Sequence, residues 1–111
     1  MWDWDRLTNF FKSLTMDRHP YIVEHANLIL NLIPLLRDNP NLANVQPGAA
    51  HAELFLAIPN QDKVVSVWGQ GNGKYRISIG NPDLSSTDEI SVSSEKAIGT
   101  IEKYLQKLQH L

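Results

Sequence analysis

Residues 64–80, VVSVWGQGNGKYRISIG, constrain the fold more than any other stretch, because two alternating apolar runs flank a glycine-rich turn. A two-residue turn at Asn72-Gly73 would set Val67 opposite Ser78. A three-residue loop, Gly71-Asn72-Gly73, sets Val67 opposite Ile77 and Val65 opposite Ile79, which unites the apolar faces of both strands. The second register is therefore expected, with Gly73 supplying the left-handed residue that closes the loop.

The alternation extends upstream. From His51, the residues Ala52, Leu54, Leu56 and Ile58 point one way, while His51, Glu53, Phe55 and Ala57 point the other. A turn at 59–62, Pro-Asn-Gln-Asp, then places Leu56 opposite Val65 and Leu54 opposite Val67. A loop at 81–87 leads to a fourth strand at 89–93, with Ile90 and Val92 inward.

Helical periodicity brackets these strands. Asp3 caps a first helix over 3–15, with Trp2 and Leu7 positioned as a hydrophobic staple and Trp4, Leu7, Phe11 and Leu14 forming its stripe. Pro20 opens a second helix over 20–38, apolar around most of its circumference, in which Pro34 predicts a kink or a break. Residues 39–48 are dense in turn formers and read as the crossover from helices to sheet. Ser93 or Ser94 caps the last helix, whose stripe is Ala97, Ile98, Ile101, Tyr104, Leu105 and Leu108. Gly99 inside that helix costs about 1 kcal/mol relative to alanine, which points to a close helix–sheet contact or a weak first turn. The expected architecture is a single α+β domain spanning 1–111, αα-ββββ-α, with an antiparallel meander and the helices mainly on one face.

Composition bounds the function classes. A chain of 111 residues suits one domain. Ten Lys+Arg against twelve Asp+Glu leave a net charge of -2, which gives no electrostatic drive toward nucleic acid. With no cysteine, thiol catalysis, disulfides and thiolate metal sites are excluded. The acidic, aromatic start MWDWD is unlike a secretory leader and the longest apolar run is too short to span a membrane, so a cytoplasmic protein is expected.

No motif fixes a reaction, a cofactor or a metal. The run Gly69-Gln70-Gly71-Asn72-Gly73 leads into a strand, whereas a Rossmann or P-loop glycine run leads into a helix, so it reads as turn chemistry. His19, His25, His51 and His110 lack metal-ligand spacing and read as exposed or capping residues, and Asp3 and Asp5 fit a helix N-terminus without any ligand. No serine sits in a strand-to-helix elbow that capping does not explain.

The expected registers do give one surface signal. On the face away from the helices they align Glu53, Trp68 and Arg76 in one cross-strand row and Phe55, Ser66 and Ser78 in the next, with Lys74 nearby. Trp68 between a carboxylate and a guanidinium reads either as a cation–π stack that covers the sheet or as a recognition hot spot. The expected function is a small non-catalytic intracellular protein-interaction domain, of the adaptor, inhibitor or immunity type, with Glu53, Phe55, Ser66, Trp68, Lys74 and Arg76 as the partner-binding residues. Self-association through Phe55 and Trp68 is a variant of this reading. The alternative is an enzyme or small-ligand binder with a pocket between the second helix and the crossover, involving His51. Trp68, Arg76 and Lys74 also supply stacking and charge for single-stranded nucleic acid, but the acidic balance and Glu53 in the same row weigh against it.

Overall fold

The computed structural model of the chain describes residues 2–81 and 86–110. Helix α1 (Trp4–Leu14) and helix α2 (Pro20–Arg37) precede a short 3-10 turn (Pro40–Leu42). The strands β1 (Gln46–Ala50), β2 (Glu53–Ala57), β3 (Val64–Gly71), β4 (Lys74–Gly80) and β5 (Ser86–Ser93) follow, then helix α3 (Ser94–Gln109). The five strands form one antiparallel meander in the order β1-β2-β3-β4-β5. This is the expected α+β fold with one strand more.

The additional strand is β1. Its sequence, QPGAA, lies largely within the stretch read as crossover, and it carries little β propensity. An edge strand tolerates proline because one side of its backbone needs no ladder partner. Pro47 pairs with Leu56 and Gly48 with Phe55. The Gln46 side chain donates to the Trp2 carbonyl at 2.7 Å, tying the edge to the start of the chain.

Local signals set the ends of α1. The Asp3 carboxylate accepts from the Arg6 N–H at 2.7 Å, while Trp2 meets Phe10 edge-on at 5.4 Å and carries the Arg6 guanidinium at 4.6 Å. In α2, where a kink or a break is expected at Pro34, the helix does not break and runs on to Arg37. Pro34 is exposed while Ile33 and Leu36 beside it are buried, so the proline lies on the solvent side of the helix. In α3 Ser93 occupies the N-cap position without a side-chain capping bond, and a Cβ at Gly99 would meet nothing within 4 Å. No close helix–sheet contact explains that glycine.

The core lies between the sheet and the helices. Leu54, Leu56, Val65, Val67, Tyr75, Ile77 and Ile79 face Leu7 and Phe11 of α1, Ile29 and Ile33 of α2, and Ile101, Leu105 and Leu108 of α3. The registers that bring them together are Leu54↔Val67 and Leu56↔Val65 between β2 and β3, and Val67↔Ile77 and Val65↔Ile79 between β3 and β4. The expected register is thus present, although a different turn produces it. Gly71 pairs with Lys74 across the two-residue turn Asn72-Gly73 (φ 54° and 72°), and a bulge between Gly69 and Gly71 absorbs the extra residue. Val92 and Ile90 pair with Tyr75 and Ile77; Val92 packs against the core as expected, whereas Ile90, also expected inward, sits at the sheet edge and stays 43% exposed. Of the loop expected at 81–87, residues 82–85 lie outside the described residues and Ser86 already belongs to β5.

Helix α2 reaches the sheet at Gly69, where a Cβ would come within 2.8 Å of the Leu28 Cβ and 3.0 Å of the His25 carbonyl oxygen. Only a residue without a side chain allows so close an approach. Beside it, the buried Tyr75 donates its hydroxyl to the Leu28 carbonyl at 2.8 Å. One turn earlier the Glu24 carboxylate accepts from the Asn72 N–H at 3.1 Å. Glu24, His25 and Leu28 together grip the outer half of the β3–β4 hairpin.

Candidate functional site

The β2–β3 ladder ends at Leu54↔Val67. Continued, this register would pair Glu53 with Trp68 and Ala52 with Gly69. The imidazole of His25 stands there instead. Its Nδ1 accepts from the Gly69 N–H at 2.8 Å, and its Nε2 lies 2.6 Å from the Ala52 carbonyl oxygen. A backbone N–H can only donate and a carbonyl can only accept, so the two partners fix the neutral tautomer with its proton on Nε2. Both ring nitrogens are thereby occupied by backbone, which leaves no lone pair for a metal or a substrate.

His25 is fully buried, with aromatic rings on two sides. The Trp68 indole lies flat against it, with centroids 3.7 Å apart and planes 13° apart, and Phe11 of α1 approaches edge-on at 5.9 Å. Burial holds the His25 pKa below its ordinary 6.5, the hydrogen bond to Ala52 works in the opposite direction, and the charge of Arg76 lowers it further. His25 is therefore no exposed or capping histidine, as the sequence suggested. The other three are exposed: His19 pairs with Asp17 at 3.0 Å ahead of α2, His51 lies in the β1–β2 turn, and His110 follows α3.

The row on the helix-free face is assembled by the ladder. Trp68 pairs with Arg76, and Phe55, Ser66 and Ser78 align in the neighbouring row. Trp68 is half-buried and takes His25, not Arg76, as its stacking partner. Arg76 reaches past it, donating from Nη2 to Glu53 at 3.4 Å and placing Nε 3.6 Å from Glu89 on β5. The Glu53 side chain is only 14% exposed. Its burial raises its pKa above the ordinary 4.5, against the opposing pull of Arg76, Ser66 and His51.

Phe55, Ser66 and Ser78 are 8%, 7% and 9% exposed. They form the floor of this face and offer a partner little surface. The accessible parts are Trp68 and Arg76, with Lys74 exposed at the hairpin end and Glu89 exposed on the edge strand.

Among the described residues, clefts also lie away from this face. One, of about 450 Å³, runs along the outer side of α2 past Asp17, Arg18, Glu24 and Leu28. Another, of about 310 Å³, lies beside the crossover between Leu42, Val45 and Ile58 and the α3 residues Glu102 and Leu105. It is bounded by α3 rather than by the second helix, and His51 lines neither cleft. Among the described residues no group of three or more histidine or acidic side chains is placed to hold a metal ion.

Sequence reasoning missed His25, although a signal was present. It shares one helical stripe with Ile29, Leu32 and Leu36, all buried, so a polar ring at that position had to find partners inside the fold. Comparison with protein-family models, with curated proteins and with solved structures returned no match. Among the described residues no helix is long and apolar enough to cross a membrane.

Proposed function

We propose that the chain is a protein-interaction domain that presents the helix-free sheet face to a protein partner, with Trp68 at the centre and Arg76, Glu53 and Lys74 around it. Phe55 and Ser66 support this surface from below. The observation that carries the reading is the backing of Trp68. A half-exposed indole fixed flat against a buried imidazole loses little freedom when a partner covers it, and tryptophan and arginine are the residue types that dominate recognition hot spots.

The test is capture of native partners with tagged wild type and with a Trp68→Ala/Arg76→Ala variant whose folding is checked by its amide spectrum. Truncation of a central tryptophan costs about 2 kcal/mol or more of binding, so partners held by this face drop out of the variant's list. Identical lists for the two proteins would remove the face from the binding reaction.

The cleft beside the crossover supports a second reading, in which the chain binds a small ligand. It supports it less well, because the Asn41 amide and the Glu102 carboxylate on its rim already satisfy each other at 2.9 Å.

A further inference from the structure

We infer that His25 is a proton-operated latch, which in its neutral form fastens β3 at Gly69, next to Trp68, to helix α2 and on protonation lets this end of β3 go. The regulatory half of this inference, that acid weakens partner binding, rests on the function proposed above. The latch itself does not.

Three features of the geometry carry it. First, the ring joins the backbone of β3 to that of the β1–β2 turn just beyond the end of the β2–β3 ladder, accepting from Gly69 and donating to Ala52. A proton added to Nδ1 would face the Gly69 N–H, donor against donor, so that contact cannot survive protonation. Second, the bond to the Ala52 carbonyl survives protonation and keeps the ring tethered to a turn built from His51 (φ 52°) and Ala52 (φ 66°), both in the left-handed region without a glycine, so that the change falls on Gly69. Such residues cost free energy locally and persist where surrounding structure holds them. Third, the same ring is the platform for Trp68. One proton therefore breaks the Gly69 contact beside the central residue of the contact face, while Nε2–H keeps its bond to the Ala52 carbonyl.

The charged groups around the ring set the direction of the response. Arg76 on β4 disfavours a second positive charge, and the neighbouring Glu24 is engaged with Asn72. Arg76 and, from the turn, His51 both act on the Glu53 carboxylate of β2; Phe11 and Trp68 bring no charge. Because burial depresses the His25 pKa, the unfolded chain takes up this proton more readily than the folded one. Its contribution to stability is complete above pH 6.5 and is lost as pH falls from 6.5 through the folded-state value. Glu53 acts with the opposite sign. Its pKa is raised, so the folded chain gains relative stability as pH falls through that raised value toward 4.5. A Glu53→Gln variant separates the two.

The experiment is an acid titration of the intact chain from pH 7.5 to 5.0, followed by nitrogen shifts of the His25 ring and by hydrogen exchange at Gly69, with Glu53→Gln and His25→Gln alongside. Between the folded and unfolded pKa values, the Gly69 protection factor should fall about tenfold per pH unit in wild type and in Glu53→Gln, in step with His25 protonation, while core amides such as Ile77 stay protected. The slope should vanish in His25→Gln; if that variant does not fold, the wild-type ring shifts decide alone. Protonation of His25 with Gly69 protection unchanged would overturn the latch. So would a His25 that stays neutral until the whole chain unfolds. Partner binding compared at pH 7.5 and 5.5 then tests the regulatory half: loss of binding at pH 5.5 in wild type but not in a folded His25→Gln supports it, and equal binding at both pH values refutes it while leaving the latch to the exchange data.

Discussion

The β3–β4 and β1–β2 hairpins both turn through two residues with positive φ, Asn72-Gly73 in one and His51-Ala52 in the other. The first is built from the residue types that adopt this conformation most readily, and a Cβ at Gly73 would meet nothing within 4 Å. The second places alanine where glycine or asparagine is usual and compensates with a buried histidine from 27 residues upstream. One turn is specified by its own sequence, whereas the other is held by a helix. Local turn chemistry and tertiary anchoring are thus alternative ways to reach the same backbone.

The largest effect should come from cutting the anchor. His25→Phe keeps a ring beneath Trp68 but leaves the Gly69 N–H and the Ala52 carbonyl without their partner, which should lower stability in urea by about 2–4 kcal/mol at pH 7.5. A cost under 1 kcal/mol would mean that the turn does not depend on α2. Next come two exchanges of opposite sign. Ala52→Gly relieves the left-handed strain and should raise stability by about 0.5–1 kcal/mol after its entropic cost, while Gly73→Ala should lower it by about 1 kcal/mol. Equal signs in thermal melts would show that the two turns are not built as contrasted here. The smallest effect is expected for Glu24→Ala. This carboxylate is the helix's contact with the Asn72-Gly73 turn, but the Asn72 N–H is exposed and water can replace it, so the change should stay within about 0.5 kcal/mol.

The contrast also explains what could be read without coordinates. The register of β2, β3 and β4 followed from matching apolar faces, because a slip of one residue would turn Val65, Val67, Ile77 and Ile79 toward the other face. The row Trp68–Arg76 and the row Phe55–Ser66–Ser78 follow from the same registers. The exposure of those rows did not. Phe55, Ser66 and Ser78 are buried although no helix was expected over them, and Glu53 is more buried than a lone carboxylate on an open face should be. Strand β1 was hidden by Pro47 and Gly48, whose turn-forming character is a local property, while their place in the sheet comes from pairing with Leu56 and Phe55.

The sequence by itself determined the three helices and the meander from β2 to β5, because each rests on periodicity, capping or the matching of apolar faces; the same matching pointed to a three-residue loop at 71–73, where the structure has the two-residue Asn72-Gly73 turn and a bulge. Only the tertiary structure decided the β1 edge, the His51-Ala52 turn and the setting of Trp68. These depend on His25, whose helical stripe with Ile29, Leu32 and Leu36 marks it as buried but does not name the partners its ring meets. Its role exists because α2 crosses β3 at Gly69, close enough for one imidazole to meet a strand backbone, a turn backbone and an indole at once.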